Sequence, residues 1–240
     1  MGCFASVSGL GAALGATLTL AAVDDGHLTI GTDAPFPPYV LLDESGGLTG
    51  FEQQLMQEIC TREELACDWR QVAFEELIPG VMDGRFDVVL GGMAITPERR
   101  ALVDFTLPYQ QTDDTEWFVG RPGAPAPDSA HIAVQSGTLH EAWLRDEGLD
   151  HRAYTTEDQT LRAVEDGAAD LAFGPFEIRP DLAPRFGAQG LDLLYEVQIG
   201  DEGTAMAVCK GNAELLARLN GAIRAMQADG TIATLESRWF

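Results

Sequence analysis

Asp83-Gly84-Arg85-Phe86-Asp87-Val88-Val89 and, farther along, Asp166-Gly167-Ala168-Ala169-Asp170-Leu171-Ala172 are two rough copies of one pattern. In each, an Asp-Gly pair closes a helical stretch, and an Asp then opens a short apolar run. Glycine ends a helix readily because it enters the left-handed conformation at little steric cost. A short continuous apolar run suits a strand covered on both faces. A helix running into a buried strand is one step of βαβ rhythm, so the two copies predict an α/β protein of two similar lobes.

The surroundings of each copy extend the rhythm. Before the first, residues 27–32 read as a strand, Phe51, Leu55 and Ile59 recur at helical spacing within 51–65, and a second strand is expected over 68–73. A short helix over 75–82 then leads into the strand at 86–90. The second unit begins near Glu116-Trp117-Phe118-Val119 and passes a Pro/Gly/Ala-rich loop at 121–127. It resumes with a strand at 131–135 and a helix at 138–147. Thr156 is placed to cap the next helix, whose Leu161 and Val164 face inward, and the strand 170–173 follows. In the tail, Leu215, Leu216, Leu219, Ile223 and Met226 form one helical stripe of the kind that packs into a core. Asp229-Gly230 then precedes a short closing helix.

With 45% hydrophobic and 22% charged residues the chain has the composition of a folded globular protein. Its net charge of -23 repels nucleic acid and anionic lipid, which removes polyanion partners from consideration. That charge is read as serving solubility, ahead of any role in attracting a cationic solute, and does not name a ligand. Residues 1–22 carry no charged side chain, are rich in Ala, Gly and Leu, and end in small residues, which reads as a secretory signal, although no basic segment precedes the apolar stretch. Cys3 falls inside that segment and is expected to leave with it.

Cys60 falls late in the first helix and Cys67 begins the next apolar segment, a separation that allows a helix end to be stapled to the following strand. In an oxidising compartment a disulfide is expected there; two unpaired small core residues are the alternative. Cys209, within Ala205-Met206-Ala207-Val208-Cys209, reads as a buried strand residue. No CxxC and no neighbouring His supports a metal site.

Taken in order, Ile30-Gly31-Thr32-Asp33 with Phe36 and Pro38-Tyr39, Leu48-Thr49-Gly50-Phe51-Glu52, Leu77-Ile78-Pro79-Gly80, and Gly91-Gly92-Met93-Ala94-Ile95-Thr96-Pro97-Glu98-Arg99 form a recognisable series. Asp104-Phe105-Thr106-Leu107-Pro108-Tyr109, Ser136-Gly137-Thr138 and the closing Asp229-Gly230-Thr231 with Trp239-Phe240 continue it. The series resembles the extracellular solute-binding proteins of polar amino-acid ABC transporters, family 3 type, over essentially the whole chain after residue 22. The resemblance implies a two-lobed periplasmic binding protein fold of type II, with a cleft between lobes joined by two crossovers near Gln111 and Gly203. Lobe 1 then comprises residues 23–111 with 203–240, and lobe 2 comprises 112–202. Some members carry a disulfide where Cys60 and Cys67 stand. The implied protein is an exported, monomeric carrier without cofactor or metal that hands its solute to a membrane ABC permease.

Burying the carboxylate and ammonium of an amino acid unpaired is expensive, so such a cleft needs complementary groups. Arg99 offers a planar fork that matches two carboxylate oxygens, and the amides of Ala94 and Leu139 and the Thr138 hydroxyl are similar in place to the family's other carboxylate donors, with Ser136 also expected among the ligand-binding residues. A surface pair with Glu98 or Asp104 is the other reading of Arg99. Gly91 and Gly92 admit close backbone approach and leave carbonyls for an ammonium, or else form a plain strand-end turn. Phe36 and Phe74 correspond to positions where rings flank the ligand's aliphatic part, and Asp33 to one where an acid reads its side chain; core packing and a turn cap before Pro35 are the alternatives.

One departure stands out. The family usually places an Asp just beyond the strand 170–173 to pair with the ligand ammonium, whereas this chain reads Phe173-Gly174-Pro175-Phe176-Glu177. Either Glu177 takes that part or the ligand lacks an ordinary α-ammonium. A few relatives of this fold are dehydratases that use a cleft carboxyl group as acid. Against an enzyme stand the scattered His27, His131, His140 and His151 and the absence of a nucleophile elbow or paired carboxylates at fixed spacing. A solute-sensing module is the third reading.

Overall fold

The computed structural model describes residues 26–111 and 115–240. The expected leader at 1–22 and Cys3 lie outside the described residues. Along the chain, β1 (His27–Thr32), β2 (Leu41–Leu42) and β3 (Leu48–Thr49) lead into α1 (Phe51–Arg62). Then come β4 (Ala66–Gln71), α2 (Leu77–Met82), β5 (Val88–Leu90), α3 (Pro97–Leu102) and β6 (Val103–Phe105). The second set is β7 (Thr115–Gly120), β8 (Ile132–Gln135), α4 (Leu139–Asp146), β9 (His151–Tyr154), α5 (Glu157–Glu165), β10 (Leu171–Gly174), α6 (Ala183–Gln189) and β11 (Asp192–Gln198). β12 (Ala207–Cys209), α7 (Ala213–Ala228) and α8 (Thr231–Trp239) complete the chain.

Two five-stranded sheets result, ordered β4-β1-β5-β12-β6 and β11-β7-β10-β8-β9. β1 runs parallel to β4 and β5, and β8 parallel to β9 and β10, while β12 and β7 pair antiparallel with their neighbours. The two Asp-Gly copies occupy equivalent places: β5 and β10 are each the central strand of their sheet. Gly84 and Gly167 both have φ 73 and end α2 and α5. The second Asp of each copy fastens the adjacent parallel strand, since Thr29 N–H donates to Asp87 Oδ2 at 2.7 Å and His131 N–H donates to Asp170 Oδ2 at 2.8 Å. Short-range residue choices thus specify the same strand-entry device twice.

Each lobe has its own core. In the first, Leu28, Ile30, Phe51, Leu55, Ile59 and Val88 are sealed from water together with Leu215, Leu219, Ile223 and Met226 of α7. The tail therefore packs on the first lobe, and β12 completes its sheet. Leu216, at the edge of the stripe, is only half-buried. In the second lobe Phe118 stacks on Phe173 with centroids 4.0 Å apart. The disulfide joins Cys60 to Cys67 with Cα atoms 6.4 Å apart, connecting α1 to β4.

Several boundaries differ from the sequence reading for physical reasons. β4 begins at Ala66 rather than 68, because parallel pairing with β1 starts at the His27–Ala66 register. The helix expected over 75–82 is a 3₁₀ turn, Phe74–Glu76, followed by α2. Cys209 ends β12 half-buried rather than buried. Thr156 caps α5 as expected, in a reciprocal capping box with Gln159. Where the crossovers were expected, Thr204 N–H donates to Gln110 O at 2.9 Å and Tyr109 N–H to Thr204 O at 3.0 Å, so these two segments lie side by side. No helix among the described residues is long and apolar enough to cross a membrane.

Candidate functional site

The two sheets face each other across a cleft lined by residues of both. Asp33, Phe36, Phe74, Gly91, Gly92, Ala94, Arg99, Thr138, Leu139 and Glu177 all line it. Ser136 is not among the lining residues; its N–H donates to Tyr154 O at 2.8 Å as part of the sheet edge.

Arg99 sits in α3, which starts where Thr96 caps it and Pro97 presets the first turn. Arg99 is 7% exposed, so the partners of its guanidinium matter. Nη1 donates to Ala94 O at 2.8 Å, Nη2 donates to Gly137 O of the other lobe at 3.2 Å, and the group lies over the Phe74 ring, 5.3 Å from its centroid. Neither Glu98 nor Asp104 holds it in a surface pair. Burial lowers its pKa to about 10, with Asp201 and Glu98 acting in the opposite sense, so it remains a cation at neutral pH. A desolvated cation held by neutral carbonyls and a ring is arranged to receive an anion.

Thr138 caps α4, its Oγ1 accepting from Glu141 N–H at 3.3 Å and donating to Gln135 O at 2.7 Å. Leu139 opens α4, where backbone N–H groups lack intrahelical acceptors. Gly91 and Gly92 follow β5. At Gly92, with φ 61, a Cβ would fall 2.5 Å from Phe36 Cε1, so glycine is required for the ring to approach. Phe36 stacks on Tyr39 with centroids 5.3 Å apart. Under this turn, Glu52 is sealed from water; its Oε1 accepts from Gly92 N–H at 2.8 Å and from the Tyr109 hydroxyl, and burial raises its pKa to about 7.

The remaining polar wall is acidic. Asp33, at the end of β1, accepts at Oδ2 from Gln135 Nε2 of the opposite lobe at 2.8 Å. Burial raises its pKa to about 6, and the Gln135 bond opposes the rise. His140 and Glu116 pair at 2.8 Å. Glu177 lies in a 3₁₀ turn, Phe176–Ile178, exposed at the rim, and accepts at Oε2 from Trp117 Nε1 at 2.8 Å. Glu157, on the first turn of α5, is buried and bonded to Arg179. Asp201 also lines the cleft.

Sequence reasoning missed Gln135, Glu116, His140, Glu157 and Asp201. Gln135 and His140 flank the Ser136-Gly137-Thr138 motif, and that nearness was the available signal. Glu157 looked like an ordinary acidic residue of a helix first turn.

The sequence pattern of the bacterial extracellular solute-binding proteins, family 3, matches residues 28–240. Among curated proteins, the Escherichia coli K12 putative ABC transporter arginine-binding protein 2 is 30% identical over 95% of this chain and 97% of its own length. Among solved structures, an ancestral arginine-binding protein bound to arginine superimposes with TM-score 0.81 at 28% identity, covering 90% of this chain and 98% of that one. A periplasmic His/Glu/Gln/Arg/opine family-binding protein from Silicibacter pomeroyi in complex with lysine has TM-score 0.81 at 29% identity, covering 89% and 96%.

Proposed function

The chain belongs to the bacterial extracellular solute-binding proteins of family 3, and on that footing we propose that it is the exported carrier of a cationic amino acid, of the arginine or lysine type. Capture of an amino acid in the cleft is the function of the family; the cationic side chain is the finer part. The observation that carries it is the make-up of the lining, in which one arginine, Arg99, accompanies the acids Asp33, Glu116, Glu157, Glu177 and Asp201, with Glu116 bonded to His140 and Glu157 to Arg179. A solute with one carboxylate and two cationic groups complements that wall better than a neutral or acidic one. The relatives above, an arginine-binding protein, an ancestral protein bound to arginine and a binding protein in complex with lysine, point the same way.

In this reading Arg99 grips the carboxylate with the amides of Ala94 and Leu139, while the Thr138 hydroxyl turns from Gln135 O to the solute. The carbonyls of Gly91 and Gly92 accept from the ammonium, Phe36 and Phe74 flank the aliphatic stem, and Asp33 meets the side-chain cation. Gln135 to Asp33 and Arg99 to Gly137 are bonds between facing walls, so closing the lobes and completing the site are one event. We assign 23–111 with 203–240 to one lobe and 112–202 to the other, with delivery to an ABC permease and no conversion of the solute.

Thermal-shift screening of the twenty amino acids with their decarboxylated and deaminated analogues tests this. A solute at 100 times its Kd adds about 2.7 kcal/mol of stability. L-arginine, L-lysine or L-ornithine should raise the melting temperature most; stabilisation by acidic or neutral amino acids alone contradicts the reading.

A further inference from the structure

We infer that Glu157 receives a cationic nitrogen of the solute through its Oε2, supplying the negative charge that Pro175 does not bring to the cleft. The inference rests on the amino-acid reading above and adds a residue to it.

Glu157 is the first residue of α5 and is 7% exposed, yet it lines the cleft together with Pro175. Its two oxygens have different surroundings. Oε1 accepts from Arg179 Nη1, whereas Oε2 is buried and has no hydrogen-bond partner among the described residues. Arg179 directs its Nε and Nη2 to Asp181 at 2.9 and 2.8 Å, which leaves Nη1 as its one nitrogen bonded to Glu157. Ionised, Glu157 leaves an acceptor without a donor; protonated, it leaves a donor without an acceptor. Either state is expensive inside a protein, and a cation arriving from the cleft resolves the ionised one.

The charges around Glu157 agree. Arg179 and Asp181 face it from the segment after β10, His140 from α4 and Asp33 from the end of β1, and Asp33 adds repulsion from across the cleft. Arg179 thus orients the carboxylate from behind while sharing its charge with Asp181, which leaves net negative charge toward the cleft. Burial raises Glu157 to about 7, so ionising it for a ligand releases protons. Glu177, by contrast, is exposed at the rim and already accepts from Trp117.

The test is calorimetry on ligand-stripped protein with L-arginine, its deaminated analogue and L-citrulline, using wild type, Glu157→Gln and Glu177→Gln. Wild type binds L-arginine, or L-lysine in its place; if it binds neither, the cationic amino-acid reading fails and the inference with it. Given that binding, Glu157→Gln should weaken L-arginine by about 30-fold or more, the scale for removing one partner of a buried charge pair. The loss should vanish for the deaminated analogue if the α-ammonium is received, or for L-citrulline if the side-chain cation is. Proton release on binding L-arginine, read in buffers of different ionisation heat, should fall in Glu157→Gln, and Glu177→Gln should weaken L-arginine less than Glu157→Gln does. An unchanged Glu157→Gln, an equal loss for all three compounds, or a large loss confined to Glu177→Gln overturns the inference.

Discussion

Replacing Arg99 with methionine removes the fork while keeping an unbranched side chain against Phe74. Among the described residues the guanidinium donates to two carbonyls, Ala94 O at 2.8 Å and Gly137 O at 3.2 Å, and lies over the Phe74 ring. Its burial works against its charge, as the lowered pKa records. The variant should therefore fold, with a melting temperature close to wild type. In the complex the loss is larger: two charge-assisted hydrogen bonds, at about 1.5 to 3 kcal/mol each and less than additive, amount to about 3 to 4 kcal/mol. At 1.4 kcal/mol per decade that is roughly 140- to 700-fold in Kd for L-arginine. Agmatine, which has the same side chain without the carboxylate, reverses the sign. Wild-type protein must bury Arg99 beside it without an anion, so Arg99→Met should bind agmatine as well or better. Calorimetry on the four combinations closes a double-mutant cycle, whose coupling should be at least about 2 kcal/mol. Equal weakening of both compounds, or unchanged L-arginine affinity, refutes the carboxylate clamp.

Removing the Cys60–Cys67 bridge by a double serine substitution frees a short loop. It should cost about 2 to 3 kcal/mol by chain entropy, read as a lower melting temperature with solute affinity nearly unchanged. Gly92→Ala places a Cβ 2.5 Å from Phe36 Cε1 at a positive φ, so denaturant unfolding should show a loss of about 1 to 3 kcal/mol and the solute should bind more weakly. Glu52 is raised by burial from 4.5 to about 7, so its protonation favours the folded state. That contribution is complete below pH 4.5 and is lost as pH rises to about 7, by an amount on the order of 3 kcal/mol. Urea titrations across this range should show stability falling with pH in wild type and a flatter curve in Glu52→Gln; identical curves would remove Glu52 from the account.

The legible parts of this protein are those whose cause is local. Asp87 and Asp170 each bond an amide of the neighbouring strand, and Gly84 and Gly167 each end a helix, so the repeated motif marks matching positions in two sheets. Asp33 and the two glycines lie just beyond strand ends, and Arg99 lies on the short helix after β5, so order along the chain already places them beside a cleft. Glu157 was hidden because its burial depends on Arg179 from another segment, and an acid on a helix first turn is ordinarily a solvated match to the helix dipole. Gln135 was hidden for a similar reason: its partner Asp33 is on the opposite lobe. Ser136 follows the motif order, yet its amide is used by Tyr154 O, which holds that backbone in the sheet edge. Local signals position the scaffold, and contacts between distant segments decide the charge of the wall.

The most direct test of a cleft built for both ends of a cationic amino acid is one set of titrations on ligand-stripped wild-type protein: L-arginine, L-citrulline, agmatine and L-glutamate. L-arginine should bind tightest, with L-citrulline and agmatine each weaker by about tenfold or more, the scale of one lost charged contact, and L-glutamate not detectably. Agmatine, L-citrulline or L-glutamate binding as tightly as L-arginine, or no binding by any of the four, would contradict it.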